Sequence, residues 1–109
     1  MEGTLVIIPT YNEIGNINAI IHKVFSINSH VNVLVVDDGS PDGTADVVKE
    51  LKATEFPHRL HLIERQGKLG LGTAYITGFK YALANDFDYV IEMDADFSHN
   101  PLDLPKLYN

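Results

Sequence analysis

The stretch VLVVDDGSPDGTADVV, residues 33–48, decides how this chain reads. An apolar run ends on two adjacent acids, Asp37 and Asp38. A turn from Gly39 to Gly43 follows, and Ala45, Val48 and Leu51 then recur at helical spacing. Such a unit is a strand that stops abruptly, a polar turn, and a helix that Asp42 or Thr44 can cap.

The same pattern extends in both directions. Further apolar runs at Leu5–Ile8, Leu60–Ile63 and Tyr89–Met93 join the one at Val31–Val36. They are rich in Val and Ile and nearly continuous, as strands covered on both faces are. Ile14, Ile17, Ile21, Val24 and Phe25 make one helical stripe. Leu71, Ala74, Tyr75, Gly78, Phe79 and Ala82 make another. The order βαβαβαβ predicts an α/β fold, a three-layer sandwich with a mostly parallel, Rossmann-like sheet and helices on both faces. Pro101–Tyr108 is expected to open a further helix.

Composition narrows the function. The 109 residues suit one small domain, and 45% hydrophobic content excludes a disordered chain. A net charge of -7 argues against nucleic acid as a partner, because phosphate neutralisation needs a basic surface. A phosphorylated ligand would need a cation between itself and this protein. Cysteine is absent, which excludes disulfides and thiolate metal sites and fits a reducing compartment. No apolar run approaches the roughly 20 residues of a membrane span.

In open α/β sheets ligands bind beyond the carboxyl ends of the strands. Those ends read PTYNE (9–13), DDGSPDG (37–43), ERQGKLGLGTA (64–74) and DADFSHNP (94–101). Asp94 and Asp96 are two apart, so in extended chain they face the same way and suit Mg²⁺ or Mn²⁺. The plainer reading is a solvated acidic turn. Of Asp37 and Asp38, one is expected to accept hydrogen bonds from a ribose or base and the other to make a turn with its own backbone. Tyr11 can stack on a base and Glu13 can hydrogen-bond it, or the segment is a helix lead-in with Asn12 as cap. Gly70 and Gly72 open a helix whose N–H groups could hold an anion, with Arg65 and Lys68 adding charge. A tight turn needing positive φ explains that loop more simply. His99, near the acidic pair, is a weaker ligand candidate.

Together, VIIPTYNE, VLVVDDGSPDGT, GKLGLGTAYITGFKYAL and VIEMDADFSHNP resemble the family 2 glycosyltransferases of GT-A fold. DDGSPDGT and LGLGTAY point to the branch of polyprenol (dolichyl) monophosphate mannose synthases. That resemblance implies an inverting transfer of a sugar, mannose from GDP-mannose, to a polyprenyl phosphate. A related donor such as UDP-glucose, or nucleotide binding without transfer, are the alternatives. It also implies that Pro9, Tyr11 and Glu13 line the nucleotide pocket and that Val36 and Asp38 hold the nucleoside. Asp94, Ala95 and Asp96 would form the metal and diphosphate element, with Asp96 nearest the diphosphate, Asp94 assisting and Ser98 as a third ligand. Residues 1–109 would be the N-terminal, nucleotide-sugar-binding part of such a domain. The acceptor-side basic residues are then expected beyond Asn109, with the protein cytoplasmic or peripheral at the membrane's cytoplasmic face. An open sheet edge would favour self-association. A phospho-receiver domain also begins with an acidic pair, but after its first strand rather than its second.

Overall fold

A computed structural model describes residues 3–28, 30–66 and 70–94. Four parallel strands form one sheet: β1 (Thr4–Thr10), β2 (Asn32–Asp37), β3 (Leu60–Glu64) and β4 (Tyr89–Glu92). Three helices connect them: α1 (Ile17–Ile27), α2 (Thr44–Thr54) and α3 (Leu71–Ala84). The α/β class and the three layers are those expected from the sequence.

The strand order is β3-β2-β1-β4. The chain therefore steps outward from β1 to β3, then crosses back to the far side of β1. With crossovers of one hand, that reversal must place the third helix on the opposite face from the first two. Alternation along the strands shows this. Val6, Ile8, Val33 and Val35 pack with Ile17, Ile20, Ile21, Val24 and Val48. Leu5, Ile7, Leu34 and Val36 pack with Ala74 and Ala82. Both faces of β1 and β2 are dry, which is why their sequences run apolar without alternation.

The two helical layers approach the sheet differently. α1 offers branched side chains. α3 offers Ala74, Gly78 and Ala82, one per turn, and so lies close. A Cβ on Gly78 would come within 2.6 Å of the Ile7 side chain. Only glycine fits there, and the helix is thereby seated directly over β1.

Some expectations about the helices were wrong at the edges. Ile14 is not on α1; it lies in the loop before it and is 46% exposed. Asn12 does not cap α1, because the cap position is Asn16, four residues later. Asn12 instead takes a left-handed conformation with φ 56°. A turn from Glu13 to Asn16 intervenes, its carbonyl accepting from both Asn16 and Ile17. Phe79 is exposed, because α3 turns its small residues, not its largest ones, to the sheet. β4 ends at Glu92, one residue short of Met93, and β2 starts at Asn32 rather than Val31. The further helix expected at Pro101–Tyr108 lies outside the described residues.

Candidate nucleotide-binding site

The reversal of strand order between β1 and β4 is a topological switch point, where open α/β sheets leave a crevice at their carboxyl ends. The sequence helps to open it. Ile7 accepts the Met93 N–H at 3.0 Å, so residue 9 is the next on β1 to face β4. That residue is Pro9, which has no N–H to give. On the other side the sheet stays closed: Thr10 pairs with Asp37, and Asp37 with Glu64.

The two acids of the opening stretch divide their roles. Asp37 is buried and its carboxylate is used up inside the protein. Oδ1 accepts from Thr10 Oγ1 and from Ser40 Oγ, each at 2.6 Å, and Oδ2 accepts the Ser40 N–H at 2.9 Å. It is the turn-maker of the pair. Asp38, also buried, faces Arg65, whose Nη2 and Nε approach Oδ1 at 2.6 and 2.7 Å. Both side chains of this ion pair are at most one-tenth exposed, so it is screened little by solvent.

The remainder of DDGSPDGT holds the loop after β1. Three consecutive amides of that loop find side-chain acceptors in it. Asn12 N–H donates to Ser40 Oγ at 2.9 Å, Glu13 N–H to Thr44 Oγ1 at 3.0 Å, and Ile14 N–H to Asp42 Oδ2 at 3.1 Å. Asp42 also accepts from the Thr44 N–H, relieving the start of α2. Desolvation alone would raise the Asp42 pKa, but the bonds from Thr44 and Ile14 outweigh it and hold the carboxyl below the usual carboxylate range. Tyr11 and Glu13, both half-buried, are thus carried on a backbone fixed from the neighbouring loop.

Arg65 is not the loose cation suggested by its place in a glycine-rich loop. Besides Asp38, it donates to Thr73 Oγ1, Thr77 Oγ1 and the Gly70 carbonyl at 3.1, 3.4 and 3.3 Å. Its charge is committed to Asp38 and not to an anion at the helix start. Gly70 has φ 102°, as the simple turn reading requires. Lys68 lies outside the described residues.

Across β1, Asp94 stands past the end of β4, half-buried, and its Oδ1 accepts the Tyr75 hydroxyl at 2.9 Å. Ala95, Asp96, Ser98 and His99 lie outside the described residues. Val36 is wholly buried, with its side chain in the core. Pro9, Tyr11, Glu13, Val36, Asp38 and Asp94 therefore stand at the carboxyl ends of three adjacent strands. Sequence reading did not find the Thr10 and Tyr75 bonds or the Arg65–Asp38 pair. No local spacing signals them, since the pairs are up to 27 residues apart.

A hard carboxylate at Asp94, in a half-buried position at the crevice, suits Mg²⁺ or Mn²⁺ by donor chemistry. Among the described residues no group of three acidic or imidazole ligands converges. An apolar cavity of about 290 Å³ beside Phe25, Phe56 and Pro57 lies at the opposite end of the sheet. Its charged neighbours are already used: Glu55 bonds His22, and Arg59 donates to the His30 carbonyl. It is not the site.

This geometry defines an open α/β domain with an acidic rim at the carboxyl ends of its strands. The chain belongs to Glycosyl transferase family 2, whose pattern matches residues 5–109. It is 48% identical to a polyprenol monophosphomannose synthase of Mycolicibacterium smegmatis, over 97% of this chain and 40% of that protein. It is 47% identical to an undecaprenyl-phosphate mannosyltransferase of Micrococcus luteus, over 94% of this chain and 42% of that protein. The chain thus spans about two-fifths of the length of these relatives. The solved mannosyltransferase PcManGT from Pyrobaculum calidifontis, in complex with GDP-Man and Mn²⁺, superposes with TM-score 0.79 at 29% identity, over 92% of this chain and 29% of that one. S. aureus TarS shares the fold, with TM-score 0.72 at 24% identity over 96% of this chain and 31% of that one.

Proposed function

We propose that this chain is the donor-binding part of an inverting glycosyltransferase that moves mannose from GDP-mannose to a polyprenyl phosphate. The observation that carries this reading is the placement of Asp38 and Asp94 on either side of the fixed β1 loop. A nucleoside diphosphate laid across the switch point would meet Tyr11, Glu13 and Asp38 at its nucleoside end. Its diphosphate end would lie toward Asp94, Ala95 and Asp96. Two relatives named for mannosyl transfer to polyprenyl phosphates, and a neighbour holding GDP-Man with Mn²⁺, support mannose, the lipid acceptor and the metal.

The roles of the residues follow from their chemistry. Asp38, pinned by Arg65, presents a fixed acceptor to a hydroxyl or base N–H. Tyr11 offers a ring face for stacking. Asp94 and Asp96 would hold Mg²⁺ or Mn²⁺, which when bound offsets the negative charge gathering on the leaving diphosphate. In the transfer an acceptor phosphate oxygen forms a bond to the anomeric carbon of the sugar. The bond from that carbon to the donor's β-phosphate oxygen breaks, and GDP leaves with the electron pair. Attack from the opposite face inverts the configuration. The acceptor phosphate is already anionic at neutral pH, so no side chain has to remove a proton.

No helix among the described residues is long and apolar enough to cross a membrane. In this reading contact with the bilayer is peripheral, on the cytoplasmic face, and comes through the lipid acceptor. β4 is an edge strand among the described residues, with Tyr89 60% exposed, and self-association along it belongs to the same reading. The acidic chain leaves nucleic acid out as a partner.

Thermal melting with GDP, UDP and GDP-mannose, each with and without Mn²⁺, tests the proposal. Ligand at about 100 times its dissociation constant should add roughly 2.7 kcal/mol to stability. A Mn²⁺-dependent rise with GDP that Asp96→Ala abolishes is the expected result. A rise with UDP but not GDP would replace the guanine donor by a uracil one, and no rise with any nucleotide would remove the donor-site assignment.

A further inference from the structure

α3 touches the candidate site twice, at opposite ends. Arg65, which grips Asp38, is itself held by Thr73, Thr77 and the Gly70 carbonyl. Tyr75, on the same two turns, donates to Asp94. At about 100° per residue, Thr73 and Thr77 lie on one flank of the helix and Tyr75 on the other. The face between them carries Ala74 and Gly78 and rests on β1. β2, which Asp38 follows, and β4, past whose end Asp94 stands, are the strands on either side of β1.

We propose that the first two turns of α3 position both acids of the donor cleft, Arg65 setting Asp38 at the nucleoside end and Tyr75 setting Asp94 at the diphosphate end. This rests on the donor-site reading above. Arg65 and Tyr75 are positioning residues: each acts through a carboxylate. Both acids are anchored to one rigid element, so the distance between the two ends of the cleft is fixed by the helix, not by flexible loops. Gly78 makes this possible, since a bulkier residue would lift the helix off Ile7 and away from both acids.

The experiment is calorimetric titration of GDP into the wild-type chain, Tyr75→Phe, Arg65→Lys and the milder Thr73→Val. Each titration is run in Mn²⁺ and again in EDTA, with an unliganded melt as a folding control. Tyr75→Phe should weaken GDP binding in Mn²⁺ about tenfold and leave binding in EDTA unchanged. Arg65→Lys should weaken binding in EDTA about tenfold and leave the gain from Mn²⁺ intact, with Thr73→Val acting in the same direction but less. Wild-type affinities in the variants would overturn the inference and leave the donor site standing. So would a Tyr75→Phe loss that is equal in Mn²⁺ and in EDTA, or Arg65→Lys and Thr73→Val losses no larger than their fall in melting temperature accounts for, because either would show a merely structural role. Absence of GDP binding by the wild-type chain would overturn the donor reading itself, and this inference with it.

Discussion

Thr10 and Asp37, 27 positions apart in the chain, meet at adjacent strand ends, where the threonine hydroxyl donates to the buried carboxylate at 2.6 Å. The bond ties the last residue of β1 to the last residue of β2 at the point where the cleft opens. Its loss should be felt as stability. Asp37→Ala would leave the buried Thr10 hydroxyl and the half-buried Ser40 N–H without their acceptor and should cost about 2–4 kcal/mol in urea unfolding. Asp37→Asn keeps an acceptor oxygen and should cost less. Equal losses in the two variants would show that charge, not hydrogen-bond acceptance, is what Asp37 supplies.

The seat of α3 makes a second prediction. Gly78→Ala places a methyl into the Ile7 side chain and should destabilise by about 1–3 kcal/mol. Gly72, on the same helix, has nothing within 4 Å of its Cβ position. Gly72→Ala should therefore be neutral or stabilising by up to about 1 kcal/mol, since alanine is the better helix former. Similar effects at the two glycines would contradict the close packing.

The three amides held by the DDGSPDGT loop can be followed one at a time by hydrogen exchange. Ser40→Ala should speed exchange at Asn12, Thr44→Val at Glu13, and Asp42→Ala at Ile14. Each effect should be centred on the named amide, with Asp42→Ala also speeding exchange at Thr44, whose N–H Asp42 accepts. Uniform acceleration of the whole loop by any one variant would mean that the segment opens as a unit.

Two histidines should give opposite pH dependences of stability. His22 is raised above its ordinary value of 6.5, chiefly by its hydrogen bond to Glu55 and then by the Asn18 carbonyl. Its contribution is complete below pH 6.5 and is lost as pH rises through the higher folded value. His61 is lowered from 6.5 by burial first and by the Lys52 charge second. Its contribution is present above pH 6.5 and is lost as pH falls through the lower folded value. Both histidines are partly exposed, so the effects are small. Compared with the wild type between pH 7.5 and 5.5, roughly one unit either side of the ordinary histidine value, His22→Gln should lose more stability on acidification. His61→Gln should lose less. The reverse ordering, read from chemical denaturation at each pH, would refute the assignment.

Much of this protein was legible before its structure. Strands buried on both faces have no polar positions, so Val33–Val36 and Leu5–Ile8 could be read as central strands of a parallel sheet. Turn residues after each strand marked the cleft side. Four motifs in order were enough to indicate the family. Tertiary structure alone decided the rest. Periodicity reports whether a face is buried but not which element buries it. Hence Ile14 and Phe79 are apolar and in phase with stripes that the core does bury, yet the fold leaves these two positions exposed. The strand order β3-β2-β1-β4, with its switch point beside Pro9, depends on which strand pairs with which. Asp37 and Asp38 are the same residue type at adjacent positions, and only alternation about the strand end sends one to Thr10 and the other to Arg65. A hydrogen bond between residues 19 apart, such as that from Tyr75 to Asp94, exists only once the chain has folded back on itself.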